Sequence, residues 1–291
     1  MIGRILQGIG SFYTVECEGQ HYVCKARGRF RKQKISPLVG DMVEFLPAQN
    51  EDSEGFIEEI LPRRSEMLRP PVANVDLIFV TVAASSPEPD LLLVDRLLVR
   101  AHRAGIEAAI VINKTDLDAE CAADIAVQYA RAGYQVYSVC ARAEKGIAAL
   151  RQAAEGRIIA FAGQSAVGKS SLMNLLCPDV HLLTGEVSRI ERGRHTTRKA
   201  ELFPFCGGYL ADTPGFSLLE LDTFDPSLLR ESYPEFAPYE GKCRFLGCQH
   251  LNEPGCAVKE AAQQGSIAAQ RVERYAVLHE ELKEKWGRRY D

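Results

Sequence analysis

Gly163-Gln164-Ser165-Ala166-Val167-Gly168-Lys169-Ser170 lies between an apolar run at Arg157–Ala162 and an apolar stretch of helical character that starts near Lys169. The eight residues match the pattern G-x-x-x-x-G-K-[ST] in the strand–loop–helix context of a phosphate-binding loop. The glycines allow backbone N–H groups to turn inward around phosphates, and the following helix contributes its positive N-terminal end. The pattern therefore predicts an α/β domain that binds a nucleotide. The alternative is a Gly-rich βα turn that arose by chance.

The motif predicts that every residue of this loop lies against the nucleotide. Lys169 is expected to reach the β- and γ-phosphates, and the Ser170 hydroxyl is expected to bind Mg²⁺. The predicted phosphate-binding set runs one residue past the motif and consists of Gly163, Gln164, Ser165, Ala166, Val167, Gly168, Lys169, Ser170 and Ser171.

A second element of the phosphate site, Asp212-Thr213-Pro214-Gly215, follows the predicted strand Tyr209–Ala211. An acidic residue at a strand tip beside a phosphate-binding loop can hold Mg²⁺ through water, and this is the role expected for Asp212. The N–H of Gly215 is expected to meet the γ-phosphate and to couple this loop to the nucleotide state. A D-x-x-G pattern alone is usually a turn, but its spacing from the phosphate-binding loop favours the functional interpretation.

The segment 188–199 between these two elements is polar, basic and contains glycine, which is typical of a loop without a buried anchor. Thr196 and Thr197 are candidate hydroxyl ligands for Mg²⁺ and the γ-phosphate. The sequence Thr-Thr-Arg resembles the corresponding loop of Era-type GTPases, and this resemblance favours Thr197. A solvated loop with no such role is the alternative.

The residue after D-x-x-G is Phe216, at a position where many GTPases carry the glutamine that orients the attacking water. Phenylalanine cannot orient water, so we expect slow intrinsic hydrolysis that accelerates when a partner orders the 188–199 loop. His195 lies beside the switch threonines and is the candidate for positioning the water. His195 and Thr197 are therefore the predicted catalytic residues.

A base-recognition motif, Asn113-Lys114-Thr115-Asp116, directly follows the predicted strand Glu107–Ile112 and matches the N-K-x-D sequence with which GTPases read guanine. Asp116 can accept hydrogen bonds from N1–H and the 2-amino group of guanine. Adenine lacks both donors, so such a site discriminates against ATP. Lys114 can cover the face of the base, and Asn113 can brace the loop.

The pair Cys140-Ala141 follows the next predicted strand, Gln135–Val139. In GTPases a Ser-Ala pair at this position places a backbone N–H on the guanine O6. Cys140 replaces the usual serine, but only the backbone contact is strictly required, so both residues join the predicted nucleotide-binding set.

The order of these motifs is unusual, because Asn113 precedes Gly163, whereas in ordinary GTPases the base-reading motif comes after the phosphate-binding loop. The same sheet can form if the chain ends are joined and the chain is reopened elsewhere, since termini often lie close together. We therefore predict a circularly permuted P-loop GTPase domain over residues 68–221, with a mostly parallel sheet covered by helices on both faces.

The tail carries Cys243-x4-Cys248-x-His250-x5-Cys256, which supplies three thiolates and one imidazole. Such a Cys₃His set suits a closed, tetrahedral structural zinc site, and a small tail with little core gains folding energy from the metal. The alternative is four unrelated core or surface residues. Ile267–Trp286 has the pattern of an amphipathic helix with Ser266 as its N-cap. We predict a mostly helical zinc-binding domain over residues 222–291.

The N-terminal stretch reads as short strands separated by turn residues, including Phe12–Cys17, His21–Ala26, Asp41–Phe45 and Gly55–Ile60. About five short strands in this length suit a small β-barrel such as an OB-fold, which we predict over residues 1–67. The same stretch contains a basic cluster with no acidic residue among its members, which are Lys25, Arg27, Arg29, Arg31, Lys32 and Lys34. The alternative interpretation of this cluster is a solvated loop.

The composition, with 46% hydrophobic and 25% charged residues, is ordinary for a soluble globular protein. No apolar run approaches the roughly 20 residues of a membrane helix, and the N-terminus lacks a signal-peptide pattern. We therefore expect a cytoplasmic protein without a membrane partner, in which the nine cysteines stay reduced. The net charge of −4 excludes a global attraction to nucleic acid.

Together these motifs resemble the RsgA (YjeQ) family of circularly permuted GTPases that act on the small ribosomal subunit. The resemblance covers nearly the whole chain and includes Gly40-Asp41, Arg69-Pro70-Pro71, Asn113 to Asp116, Gly163 to Ser171, Gly193 to Thr197, Asp212 to Gly215 and the zinc pattern with Glu253-Pro254-Gly255-Cys256. The chain departs from the family at Cys140 and at Ala166, where glycine is commoner. Alanine is small and should be tolerated at 166 if its backbone angles are ordinary.

The resemblance implies an N-terminal OB-fold, a GTPase core and a zinc-binding domain. It also implies GTP hydrolysis stimulated by the small ribosomal subunit, and docking on ribosomal RNA during late subunit maturation. The expected ligands are GTP and GDP with Mg²⁺, the expected structural metal is one Zn²⁺, and the expected state is a monomer. A barrel with the basic loop Lys25–Lys34 could bind RNA phosphates and stack bases on an aromatic such as Phe30, although Phe30 considered alone is more typical of a core residue.

Two other functions remain open at this point. The first is an RNA-binding module in which the nucleotide only sets the conformation and turnover is negligible. The second is a P-loop ATPase or kinase with another substrate, against which the motif Asn113 to Asp116 argues.

Overall fold

The computed structural model describes residues 1–32, 35–48, 53–68, 70–178, 200–212 and 221–288. The thirteen strands are β1 Ile2–Ile9, β2 Phe12–Cys17, β3 Gln20–Ala26, β4 Met42–Leu46, β5 Gly55–Ile60, β6 Glu66–Leu68, β7 Pro71–Ala73, β8 Leu77–Ala83, β9 Glu107–Asn113, β10 Gln135–Ser138, β11 Ile158–Gly163, β12 Glu201–Phe205 and β13 Gly208–Asp212. The α-helices described are α1 Arg29–Lys32, α2 Leu91–Arg103, α3 Ala119–Arg131, α4 Ile147–Ala154, α5 Lys169–Leu176, α6 Ala257–Gln263 and α7 Ala269–Gly287.

The N-terminal part is a closed five-stranded barrel, as predicted. Its strands follow the order β1-β2-β3-β5-β4, and antiparallel pairing of β1 with β4 closes the ring. β1 was missed in the sequence because a bulge between Ile5 and Gln7 breaks the alternation, so that Ile5 and Leu6 are both buried. Phe30 also packs into the core of the barrel and is only 5% exposed, so the expectation that it stacks on bases is wrong.

The central part is the predicted α/β layer structure. The strands β10-β9-β8-β11-β13 are all parallel, and β12 pairs antiparallel with β13. Successive residues of β8 point to opposite faces, so Val80 packs with residues of α2 and α3 while Phe79 packs with residues of α4 and α5. Because both faces are covered, every residue of β8 is buried, which explains its continuous apolar run.

The C-terminal part is mostly helical, as predicted. Two 3₁₀ helices, Pro226–Ser232 and Pro234–Tyr239, precede α6 and α7. They enclose a separate core in which Tyr233, Phe236 and Tyr275 pack with ring centroids 5.0–5.1 Å apart. Among the residues that the structure describes, no helix combines the length and the apolar character needed to cross a membrane.

The predicted start of the long C-terminal helix is wrong. Ser266 does not cap α7, because the N-cap is Ala268 and makes no side-chain hydrogen bond there. The N–H of Ser266 instead donates to the carbonyl of Ala261, and Gly265 has a φ of +76°. These are features of a helix C-terminus, so Ser266 belongs to the turn that ends α6, a helix that the sequence analysis did not identify.

Candidate nucleotide-binding site and metal centre

The phosphate-binding loop connects β11, which ends at Gly163, to α5, which begins at Lys169. Both glycines of the motif are required by close packing. A Cβ on Gly163 would lie 2.1 Å from the carbonyl oxygen of Thr81 in β8, and a Cβ on Gly168 would lie 2.3 Å from Nδ2 of Asn113. Both also have positive φ, at +138° and +97°, so a side chain at either position would displace the loop from its neighbours.

Lys169 folds back over its own loop. Its ammonium group donates hydrogen bonds to the carbonyl oxygens of Gly163 at 2.8 Å and Gln164 at 2.7 Å. Burial lowers the pKa of this lysine to about 8, because it disfavours the charged form. A half-buried cation whose described partners are neutral carbonyls is well suited to an anion, so this loop fits a nucleotide phosphate. Ser165 and Ala166 are exposed, whereas Ser170 is partly buried at the start of α5.

Ala166 adopts a left-handed backbone conformation with a φ of +63°. The ordinary backbone angles on which its tolerance depended are therefore absent. A left-handed conformation costs roughly 1–2 kcal/mol for a residue with a Cβ. The alanine is held there by the loop on both sides, and its carbonyl oxygen accepts a hydrogen bond from Lys114 at 2.9 Å.

Asn113 connects three loops. Its side chain is buried at the end of β9, where Nδ2 donates to the carbonyl oxygen of Val167 at 2.9 Å and Oδ1 accepts from the N–H of Ala141 at 3.0 Å. The base-reading loop, the phosphate-binding loop and the Cys140-Ala141 turn thus lie together at one edge of the sheet. This is the bracing arrangement that the sequence predicted for Asn113.

The other residues of the base-reading loop are also held in place. Lys114 has a φ of +60° and donates to the carbonyl oxygens of Ala166 and Ser86. Thr115 donates through Oγ1 to the carbonyl oxygen of Val139 at 3.1 Å, which ties the loop to the end of β10. Ser86 was not identified in the sequence, because it contributes only a backbone carbonyl.

Asp116 is exposed and its carboxylate accepts a hydrogen bond from the thiol of Cys140 at 3.0 Å. This bond is the main cause that lowers the pKa of Asp116, with smaller contributions from its own backbone and from nearby cations. The side chain of Cys140 therefore orients the carboxylate and favours its ionised form. An ionised, oriented carboxylate at this position can accept two hydrogen bonds from a guanine base.

Asp212 lies at the end of β13. The neighbouring strand β11 runs parallel to β13, with Ala160 in register with Ala211, so Asp212 and Gly163 lie toward the same edge of the sheet. Gly215, His195, Thr196 and Thr197 fall outside the described residues, so their predicted contacts with Mg²⁺, the γ-phosphate and water have no geometry here.

A candidate metal centre lies in the C-terminal part. The ligand atoms of Cys243, Cys248, His250 and Cys256 all lie within 4.8 Å of one another. His250 Nδ1 is 3.6 Å from the sulfur of Cys243 and 3.4 Å from that of Cys256. Sulfurs bound to a tetrahedral zinc ion are about 3.8 Å apart, so this set could close on one ion with small shifts.

The electrostatics of this centre also fit a cation. Burial raises the pKa of Cys248 to about 12 and raises that of Cys256, whereas burial lowers the pKa of His250. A metal ion at this centre would displace the protons of these thiols and hold them as thiolates. Glu253 shapes the turn, because its two carboxylate oxygens accept from the N–H groups of Gln249 and Leu251, both at 2.8 Å. The sequence analysis quoted Glu253 but assigned it no such role.

Comparison with known proteins gives consistent matches along the chain. The profile of the family described as RsgA GTPase matches residues 60–222, and the RsgA N-terminal domain profile matches residues 2–57. The Small ribosomal subunit biogenesis GTPase RsgA of Ruminiclostridium cellulolyticum is 45% identical over 287 residues, which are 97% of this chain and 94% of that protein.

Two solved structures share the fold. The crystal structure of YjeQ from Thermotoga maritima matches with a TM-score of 0.84 and 35% identity, covering 97% of this chain and 98% of that one. YloQ, described as a circularly permuted GTPase, matches with a TM-score of 0.80 and 35% identity, covering 98% of this chain and 95% of that one.

Proposed function

This chain belongs to the RsgA family of GTPases, and we propose that it couples GTP hydrolysis to the biogenesis of the small ribosomal subunit. The position of Asn113 is the observation that best supports the GTP site on which this function depends. Its two side-chain hydrogen bonds, of 2.9 and 3.0 Å, hold the base-reading loop against both the phosphate-binding loop and the Cys140-Ala141 turn. A nucleotide must touch all three loops for its base and its phosphates to be read together.

The proposed GTP site has a base end and a phosphate end. At the base end, Asp116 accepts from guanine N1–H and the 2-amino group, the Cys140-Ala141 turn supplies a backbone N–H to O6, and Lys114 covers the base face. Cys140 and Asn113 orient these groups through the hydrogen bonds already described. At the phosphate end, residues 163–171 surround the phosphates together with Asp212 and Gly215.

For hydrolysis, we propose that Lys169 exchanges its two carbonyl partners for β- and γ-phosphate oxygens. Mg²⁺, when bound through Ser170 and Thr197, supplies neutralisation of the charge that develops on the phosphates. The side chain of Thr197 positions the 188–199 loop, and His195 aligns the water that attacks the γ-phosphate. Phe216 offers no group for that alignment, so basal turnover is slow.

The remaining assignments concern the other parts of the chain. We propose that Cys243, Cys248, His250 and Cys256 hold one structural Zn²⁺, because their donor set matches closed zinc sites. We propose domain limits of 1–67, 68–221 and 222–291, a monomeric state and a cytoplasmic location. The barrel is proposed to bind ribosomal RNA, since its basic cluster offers counter-charges for phosphates.

The test of the function is GTP turnover by the full chain with and without purified small ribosomal subunits. Stimulation by about tenfold or more, of the kind that partner-completed GTPases show, is the expected result. Lys169→Ala is expected to abolish both activities, while Lys145→Ala is the matched control because Lys145 is an exposed lysine at the same edge. Tight GTP binding without any stimulation would leave only a nucleotide-dependent binding module.

The base assignment has its own test in Asp116→Asn. The amide places an N–H₂ group against the 2-amino group of guanine but can donate to the 2-carbonyl of xanthine. We expect the affinity for GTP to fall by about a hundredfold or more and the affinity for xanthosine triphosphate to rise. A variant that still prefers GTP, or a wild-type protein that binds ATP equally well, would overturn the guanine assignment.

A further inference from the structure

The ammonium group of Lys114 is held by two loops that approach it from different parts of the chain. It donates to the carbonyl oxygen of Ala166 at 2.9 Å and to the carbonyl oxygen of Ser86. Ala166 belongs to the phosphate-binding loop, whereas Ser86 belongs to the 84–90 loop, which connects β8 to α2. Lys114 thus joins the phosphate-binding loop to a further loop to which the proposed function gives no role.

The backbone of all three residues in this contact is left-handed. The angle φ is +48° at Ser86, +60° at Lys114 and +63° at Ala166. Each of these residues carries a Cβ, which makes such a conformation uncommon, so the surrounding structure must hold it in place. Strained backbone of this kind clusters at ligand sites. Here it occurs at both residues whose carbonyl oxygens accept from the Lys114 ammonium.

The 84–90 loop is fixed at both of its ends. At one end the N–H of Ala84 donates to the carbonyl oxygen of Asn113 at 2.9 Å, which ties the loop to the base-reading loop. At the other end the side chain of Asp90 caps the N-terminus of α2. The side chain of Ser86 itself is exposed, so what this residue supplies to Lys114 is its backbone carbonyl.

We propose that Ser86 is a positioning residue for nucleotide retention, because its carbonyl holds the Lys114 ammonium so that the lysine stem lies over the base before the nucleotide arrives. This inference rests on the proposed function, since it takes guanine to be the base bound at Asp116. A free lysine side chain has many rotamers, and ordering it during binding weakens affinity. Fixing the ammonium beforehand removes that penalty, so the contact with Ser86 slows the release of both GTP and GDP.

A role for Ser86 in the cleavage of the γ-phosphate fits less well. A backbone carbonyl has no proton to donate, so it cannot bind a phosphate oxygen. The cation at the start of α5 is Lys169, whose ammonium contacts other carbonyls of the phosphate-binding loop. We therefore expect the contact between Ser86 and Lys114 to affect how long a nucleotide stays bound, and not how fast bound GTP is cleaved.

The test displaces the carbonyl of Ser86 in the full chain. Ser86→Val introduces a β-branched residue that strongly disfavours a left-handed backbone, so the carbonyl must turn away from Lys114. Ser86→Asn should keep the contact, because asparagine tolerates this conformation. Ser85→Val is the matched control, since it makes the same substitution one residue earlier, where the backbone is not left-handed. Thermal unfolding reports whether each variant is folded, and Ser86→Thr replaces the valine variant if that one is not.

The release of a fluorescent GDP is the primary measurement. A hydrogen bond to a charged group changes an equilibrium by about tenfold or more, but Ala166 still holds the ammonium after Ser86 is lost. We therefore expect Ser86→Val to release GDP about threefold to tenfold faster than wild type, and Ser86→Asn and Ser85→Val to release it as wild type does. Affinity for GTP should fall by the same factor, whereas single-turnover cleavage at saturating GTP and small ribosomal subunits should be unchanged.

A double-mutant cycle tests whether Ser86 acts through Lys114. Lys114→Met keeps an apolar stem over the base but removes the ammonium, so the contact with Ser86 is already lost in this variant. Adding Ser86→Val to Lys114→Met should then change GDP release by less than about twofold, because the two residues contribute to one interaction. An equal effect of Ser86→Val in both backgrounds would show that the 84–90 loop acts independently of Lys114, and would overturn the proposal.

The outcomes separate this proposal from the function on which it rests. Release of GDP at the wild-type rate by folded Ser86→Val overturns the role of Ser86 but leaves guanine binding and subunit-stimulated hydrolysis intact. Slower cleavage of bound GTP in the same variant also overturns it, because the loop would then act on the chemical step. A wild-type protein that binds ATP as tightly as GTP overturns the guanine site itself, and with it the proposed function.

Discussion

At the scale of the residue, the spacing of the nucleotide site depends on direct contact between Asn113 and Gly168. The amide needs the space that a Cβ would occupy, because that atom would lie 2.3 Å from Nδ2. The absence of a side chain at 168 thus allows Asn113 to reach the carbonyl of Val167. The glycine of the phosphate motif and the asparagine of the base motif are therefore two halves of one contact, although the permutation has reversed their order in the chain.

The thiol of Cys140 leads to the first prediction. Cys140→Ala removes the hydrogen bond that orients Asp116 and lowers its pKa, so the carboxylate loses its fixed position. A thiol is a weak donor, so we expect GDP affinity to fall only about fivefold, as measured by titration of a fluorescent GDP. Cys140→Ser is the matched control and should bind at least as tightly as wild type, since a hydroxyl donates more strongly. An alanine variant with wild-type affinity would contradict this role.

Backbone strain at Ala166 leads to the second prediction. Ala166→Gly removes the cost of a left-handed alanine, roughly 1–2 kcal/mol, but makes the unfolded chain more flexible. The net expectation is a gain of about 0.5–1 kcal/mol in the free energy of unfolding, measured with denaturant. Ala123→Gly, on the exposed side of α3, should lose about 1 kcal/mol instead. Losses in both variants would show that the φ of +63° carries no strain.

At the scale of the element, a buried ionic cluster fixes α7 to α2. Arg271 on α7 donates to Asp95 on α2 at 2.5 Å and to Glu235, and Arg274 donates to Asp95 at 2.6 Å. Tyr129 of α3 donates to the same Asp95 at 2.8 Å. Each buried charge has a partner of opposite sign, so the C-terminal part is joined to the GTPase core through a fully paired cluster.

The third prediction concerns the loss of this pairing. Arg271→Ala leaves two buried carboxylates with too few partners, so we expect the free energy of unfolding to fall by about 3–5 kcal/mol. Arg271→Lys keeps the charge but cannot form the forked contact of the guanidinium group. Its free energy of unfolding should therefore lie between those of the wild type and Arg271→Ala. Lys283→Ala removes an exposed pair on the same helix and should change stability by less than about 0.5 kcal/mol. A loss for Arg271→Ala no larger than that of Lys283→Ala would show that the cluster contributes little.

Elements with a regular pattern were predictable from the sequence, and those with a local interruption were not. β2 and β5 have the predicted bounds, because their patterns run unbroken to a turn or a glycine. β12 was missed because Pro204 lies within it, and prolines argue against a strand unless it is irregular or at an edge. The buried ionic cluster around Arg271 could not be predicted from the sequence, because one arginine in a charged amphipathic helix looks like any other. The meeting of the phosphate-binding loop, the base-reading motif and the D-x-x-G motif at one edge of the sheet was predictable, because each motif directly follows a strand of the same predicted parallel sheet.

At the scale of the whole molecule, the metal centre leads to the fourth prediction. A chelator selective for transition metals, with Mg²⁺ in excess, is expected to release about one equivalent of zinc. The four ligands then lose the ion that offsets their burial, so the C-terminal core around Tyr233 and Tyr275 should loosen and the melting temperature should fall. Protease cleavage within 221–288 reports the loosening, and added Zn²⁺ should reverse it. Unchanged melting after complete metal release would mean that the Cys₃His set is not structural.

The barrel and the GTPase sheet are joined as a single sheet, because β1 pairs with β12 at Gln7 and Glu201. In the β12–β13 hairpin, Glu201 stands opposite Asp212, at the point where the chain continues into the D-x-x-G motif. A second contact crosses the junction, where the Tyr209 hydroxyl donates to Glu16 of the barrel at 3.0 Å and Arg4 lies 5.4 Å from the Tyr209 ring. A change at the barrel can therefore reach the phosphate site through one hairpin.

The last prediction tests whether this junction transmits the signal of the ribosomal subunit. Tyr209→Phe removes the hydrogen bond to Glu16 but keeps the ring, so the barrel should dock on the subunit while its hold on the hairpin weakens. Couplings carried by single contacts are worth about 0.5–2 kcal/mol, so the stimulation of GTP turnover should fall by about twofold to thirtyfold at saturating subunit. Tyr22→Phe is the matched control, because its hydroxyl donates to Gln20 within the barrel. Equal stimulation in both variants would mean that the signal reaches Asp212 by a route other than this hairpin.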